Sequence, residues 1–129
     1  PGEAPLGMTA APRESWVVLL HRDEERGLYE AAAMAAAASS LDVSMTLVWF
    51  DAALEALVSG KLEKSGEDEG VGGLLAGARE TGRVRFLACS ASAVRSGGGV
   101  AAVRGKVDEI VGWPTVVGLI RAASKAFVW

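Results

Sequence analysis

The chain carries one cysteine and one histidine, and of the two Cys89 stands in the more reactive pattern. It closes the apolar run Val84-Arg85-Phe86-Leu87-Ala88-Cys89 and precedes the small polar stretch Ser90-Ala91-Ser92-Ala93-Val94-Arg95-Ser96. This is the pattern of a buried strand ending at the N-terminus of a short helix. Unpaired backbone N–H groups at such a junction favour thiolate over thiol and raise nucleophilicity near neutral pH. Ser90 and Ser92 are candidate hydrogen-bond donors to that anion, and Arg95 adds positive field if the helix turn brings it round. The same pattern fits a second role for Cys89, that of a small buried hydrophobe.

Several chemistries are excluded or disfavoured. With no second cysteine there is no Cys-x-x-Cys redox couple, no resolving thiol and no internal disulfide. A Cys-His nucleophile pair would have to recruit His21, which no spacing places near Cys89; His21 reads as a solvated loop residue or a pocket wall. Glu67-Asp68-Glu69 has no metal-ligand spacing and reads as a solvated loop, so no metal is expected. Gly97-Gly98-Gly99-Val100-Ala101-Ala102 fits the letters of a dinucleotide-binding turn. It follows no strand directly and has no acidic residue some twenty positions on, so it reads as a flexible loop. No cofactor is expected.

The elements that must position Cys89 are legible as alternating apolar runs and helical segments. Trp16–Leu20 and Val43–Phe50 read as strands flanking an alanine-rich helix over Leu28–Ala38. Asp51 stands where a helix N-cap belongs, before Ala52–Val58, and Ser59-Gly60 ends that helix. Lys61–Gly70 reads as an exposed loop, Gly72–Arg79 as a helix and Val84–Cys89 as the third strand. Val100–Lys106 is ambiguous. Val107–Val111 reads as a short strand, Thr115–Ala123 as a helix opened by Pro114, and Ala126–Trp129 as a last short strand. Strands alternating with helices imply a three-layer α/β/α sandwich around a mostly parallel five-stranded sheet.

In an open parallel sheet, ligands bind beyond the carboxyl ends of the strands. That edge is expected to carry His21-Arg22, Asp51, Cys89-Ser90 and Gly112-Trp113. The four tryptophans, Trp16, Trp49, Trp113 and Trp129, fall at strand ends and suit core or interface.

At 129 residues, half of them apolar, the chain is long enough for one domain with its own core. Residues 1–14 read as a flexible tail with no signal-peptide core, Met8 as a candidate natural start, and residues 15–129 as the domain. A net charge of −3 and a pI near 5.2 offer no basic surface, so neither nucleic acid nor an anionic membrane is an expected partner. No apolar run reaches the roughly 20 residues of a membrane span. A lone thiol fits a reducing, cytoplasmic setting.

From about Trp16 to Trp129 the chain resembles the DsrE/DsrF-like family of sulfur-relay proteins. The resemblance rests on Val43–Phe50 followed by Asp51, on Arg85–Ser92 around Cys89, and on Ile110-Val111-Gly112-Trp113 before a helix and a short terminal strand. It implies a small α/β/α sandwich, assembly as a homo-oligomer (trimer or hexamer), and sulfane sulfur held as a persulfide on Cys89. The expected partners are then protein thiols that donate and accept sulfur, with Ser90, Ser92, Arg95, His21, Asp51 and Trp113 as the binding surround. The alternative expectation is a non-catalytic subunit that binds a small anion or serves assembly.

Overall fold

Each long strand carries two alternating sets of apolar side chains, and that decides the architecture. The computed structural model describes residues 14–64 and 70–129. Strands β1 (Glu14–Leu20), β2 (Val43–Trp49), β3 (Val84–Cys89), β4 (Glu109–Val111) and β5 (Lys125–Val128) form one all-parallel sheet in the order β4-β3-β2-β1-β5. Val18 lies opposite Leu47, Leu47 opposite Phe86, and Ala88 opposite Ile110. Successive side chains point to opposite faces. Val18, Leu20, Leu47, Trp49, Phe86 and Ala88 therefore enter one core, while Val17, Leu19, Val48, Leu87 and Cys89 enter another. Burial on both faces is why these strands read as continuous apolar runs.

The helices are α1 (Glu25–Ser39), α2 (Asp51–Val58), α3 (Lys61–Lys64), α4 (Val71–Glu80), α5 (Ser90–Arg95), α6 (Gly99–Arg104) and α7 (Trp113–Ala122). Helices α1 to α6 feed the larger core, through Ala31 and Ala35, Leu54 and Leu57, Leu62, Leu75, Ala93 and Val103. Helix α7 covers the other face with Val116, Leu119 and Ile120. Crossover handedness explains the split. The chain steps from β1 to β4 in one direction, so right-handed connections stay on one face; the return from β4 to β5 runs the other way and puts α7 on the opposite face. The expected three-layer α/β/α arrangement is thus present.

Several boundaries differ from the sequence reading. Strand β1 starts at Glu14, one residue inside the expected tail; residues 1–13 lie outside those described, as does the acidic cluster Glu67–Glu69. The expected 61–70 loop opens with the short helix α3. Gly99 begins α6, so two of the three glycines lie in a turn and the third in the helix, and the ambiguous stretch after it is helical as far as Arg104, with Val103 fully buried against the core. The strand expected over 107–111 shortens to Glu109–Val111. Asp108 stands just before it, accepting from the Phe86 N–H on its carboxylate at 2.8 Å and donating its own N–H to the Phe86 carbonyl at 2.8 Å. Among the described residues no helix is long and apolar enough to cross a membrane.

Candidate functional site

The connections after β3 and β4 leave the sheet on opposite faces, β3 into α5 and β4 into α7. Two neighbouring strands that part in this way open a crevice at their carboxyl ends, the usual binding place in such sheets. Cys89 and Ser90 stand at the end of the first of these strands, Gly112 and Trp113 at the end of the second. The walls are close: a methyl group on Gly112 would lie 3.9 Å from Ser90 Oγ.

Cys89 itself is inside. It is 4% exposed and packs with Phe50, Val111 and Val116. Its backbone is extended, at the N-cap position of α5, a helix of only six residues. Ser90 next to it is exposed, whereas Ser92 is buried one turn further on.

Along the carboxyl ends of the strands runs a row of rings. Trp49 pairs with Ala88 across the sheet, so Phe50 stands beside Cys89 on the β2 side; Cys89 pairs with Val111, so Trp113 rises two residues later on the β4 side. Strands two places apart are separated by about 10 Å. Yet the Phe50 and Trp113 rings stack at a centroid distance of 5.2 Å and 30° between planes. They must lean toward each other across the end of β3. His21 continues the row from β1, stacked on Phe50 at 4.5 Å and 25°. His21 is therefore part of the site wall, and its ring meets Phe50; no hydrogen bond joins it to Cys89 among the described residues.

Asp51 holds the other half of the edge. The sequence reading made it a helix N-cap, and the structure corrects this: Phe50 occupies the cap position, with no side-chain cap bond, and Asp51 begins α2 with φ of +46°. Aspartate tolerates that left-handed conformation better than most residues. Its carboxylate instead accepts from Ser92 Oγ at 2.9 Å and from Arg95 Nη2 at 2.8 Å, and its backbone N–H donates to Ser92 Oγ at 3.1 Å. The Ser92 hydrogen bond, then the Arg95 one, hold the Asp51 carboxyl below its ordinary range, against a smaller opposing effect of burial. Ser92 and Arg95 thus face Asp51, where the sequence reading had them serving the thiolate.

The structure brings all the candidate residues to one sheet edge in two groups: Cys89, Ser90, Trp113 and His21 around the ring row, and Asp51, Ser92 and Arg95 in a polar clasp. Sequence reasoning gave no role to Phe50, which links the two groups; its signal was an aromatic residue at a strand's carboxyl end, directly before Asp51. It also missed Glu55, whose carboxylate accepts from the Gly97 N–H at 2.9 Å and so secures the glycine turn. A cavity of about 240 Å³ at this edge lies over β1 and β5, lined by Arg22, Gly27, Leu28 and Trp129, and not over Cys89. Among the described residues no cluster of three His, Cys, Asp or Glu side chains is arranged to hold a metal.

Compared with known proteins, the chain matches no protein-family model and no curated protein.

Proposed function

We propose that this chain is a sulfur carrier of the DsrE/DsrF kind, with Cys89 as its sulfur-bearing residue. The observation that supports this best is the position of Cys89 at the carboxyl end of β3, beside β4, where the two following connections leave the sheet on opposite faces. In the proposed step the Cys89 thiolate attacks the outer sulfur of a donor persulfide. A new S–S bond forms, the donor's S–S bond breaks, and the donor leaves as a thiolate. An acceptor thiolate then attacks the outer sulfur on Cys89, which leaves in turn as thiolate. No net oxidant, reductant or cofactor is needed, because both other thiols belong to partners. A reducing, cytoplasmic setting goes with this reading. So does self-association, which the exposed Trp113, Val117 and Val128 favour.

One observation favours a second reading. Cys89 is 4% exposed and lies in an apolar cluster, as a structural cysteine would, which suits a non-catalytic binding or assembly subunit.

The two readings separate in intact-mass spectrometry of the native protein treated with a sulfane-sulfur donor, beside Cys89→Ala. A gain of one sulfur on the wild type alone, reversed by reductant, is the outcome expected of a carrier. An unchanged mass, with Cys89 alkylated only after unfolding, would leave the binding or assembly reading.

A further inference from the structure

The two edges of the sheet are finished differently. At β4 the edge is three residues long, its exposed Glu109 is held to Arg85 at 3.3 Å, and Asp108 just before it is held to Arg79 at 2.9 Å. Short, charged edges resist pairing with another chain. At β5 the only charged residue is Lys125, which has no ion pair among the described residues. Ala126 and Val128 lie opposite Val17 and Leu19, so their side chains share the face that α7 covers. Both are exposed, Val128 by 70%. Where else that face is incompletely buried, the long strands carry Ser15, Ser44, Thr46 and Arg85; at β5 it is apolar.

The backbone fixes how a further strand can join. Trp129 gives its N–H to the Leu19 carbonyl at 2.9 Å and takes the His21 N–H on its own carbonyl at 3.1 Å. Hydrogen-bonding direction alternates along a strand, so Ala126 and Val128 turn theirs outward. Ser124 gives its N–H to the Ser15 carbonyl at 2.7 Å, which ends the free edge there. An antiparallel partner matches outward groups with outward groups. For a second copy related by a twofold axis, the register that uses both residues sets Ala126 opposite Val128, with Phe127 on the axis. A small side chain then meets a branched one on the α7 face. On the other face Lys125 comes opposite Trp129, with Cβ atoms about 5 Å apart. Trp129 lines the cavity of about 240 Å³ together with Arg22, Glu24, Gly27, Leu28 and Val128. The Arg22–Glu24 pair there is loose, at 3.7 Å between exposed side chains, and Glu25 in the first turn of α1 has no ion pair among the described residues. An unpaired base at the amino end of β5 thus meets carboxylates at the carboxyl end of the other copy, twice.

We infer that β5 is the docking edge for a second copy of this chain, joined antiparallel about Phe127, with the Lys125 ammonium of each copy seated in the cavity beside Trp129 and Glu24 of the other. The Trp129 ring and the Glu24 carboxylate both attract a cation. The inference gives a surface and a partner to the self-association proposed above; it rests on that part of the reading and uses nothing of Cys89. The ladder is short against the about 800 Å² a side of a standard interface, so the association is reversible.

The test is sedimentation equilibrium of the full chain from micromolar to millimolar concentration, with carbodiimide coupling and peptide mass spectrometry to locate the contact. A mass rising to at least twice 13.3 kDa is expected, with Lys125 linked to Glu24 or Glu25. Within one copy Lys125 stands about 13 Å from Trp129 along the strand, so the link reports the partner. Lys125→Glu and Glu24→Lys should each weaken association about tenfold by setting like charges together, and the double exchange should recover it. Ala126→Pro removes an outward N–H that the sheet does not use and should abolish association with the circular dichroism unchanged. Should that variant fail to fold, the charge exchange decides alone. A monomer at millimolar concentration would overturn the inference, as would association untouched by these variants or coupling only to residues away from β5 and the start of α1. Sulfur loading is read separately: a dimer that loads no sulfur defeats the carrier reading and leaves this one, while a monomer that loads sulfur does the reverse.

Discussion

Ser92 and Asp51, 41 residues apart in sequence, clasp each other twice: the Ser92 hydroxyl accepts from the Asp51 backbone N–H at 3.1 Å and donates to its carboxylate at 2.9 Å. The pair ties the start of α2 to α5, and with them the carboxyl ends of β2 and β3. It also holds Asp51 at its positive φ, a conformation that persists only where its surroundings enforce it.

Ser92→Ala removes both bonds and leaves the Asp51 N–H without its acceptor. It is expected to lower the unfolding free energy by about 1–2 kcal/mol, measured as a shift of the urea midpoint. A shift near zero would mean that water replaces the hydroxyl and that the clasp contributes nothing net.

The clasp also sets a pH dependence. The Asp51 carboxyl is held below its ordinary value of 3.8, by Ser92 first and Arg95 second. A carboxyl with a depressed folded-state pKa stabilises the fold above its unfolded value, and that contribution is lost as pH falls through the folded value. Stability of the wild type should therefore decline below about pH 4, and decline less steeply in Asp51→Asn. The effect should be modest and weaken with salt, because the Asp51 and Arg95 side chains are 57% and 65% exposed. Identical acid limbs for the two proteins would show that Asp51 carries no such linkage.

At Cys89 the choice of substitution matters to any functional assay. The site is apolar, so Cys89→Ala should cost about 1 kcal/mol or less, while the Ser hydroxyl of Cys89→Ser enters without a partner and should cost about 1–3 kcal/mol more. Thermal unfolding of the two variants decides it. Equal stability would mean that the serine hydroxyl finds a partner at the crevice.

Two glycines should respond in opposite directions to alanine. Gly77 lies inside α4 with nothing within 4 Å of the new methyl group, so Gly77→Ala should stabilise by about 0.5–1 kcal/mol through helix propensity. Gly98 precedes α6, and the methyl group of Gly98→Ala would come within 2.5 Å of the Ala102 Cβ one turn into that helix, and should destabilise by about 1–3 kcal/mol. Denaturant midpoints of both variants test the pair together.

Much of the molecule was legible before any coordinate, for local reasons. Trp16–Leu20, Val43–Phe50 and Val84–Cys89 are apolar on both alternating sets, which means a strand covered on both faces, and the intervening helical segments leave a parallel sheet as the consistent arrangement. That all the candidate residues share one edge follows as well, because the carboxyl ends of parallel strands lie together.

What the sequence determined by itself was therefore the alternation of elements and the edge on which chemistry would gather, since periodicity and strand direction are properties of short segments. The tertiary structure alone decided what each residue faces there. Ser92 and Arg95 turn to Asp51, Phe50 takes His21 and Trp113 onto its ring, and Cys89 is buried in the cluster of Phe50, Val111 and Val116. These pairings join residues from separate crossovers, and they arise only when the sheet order and the face taken by α7 bring those strand ends into contact.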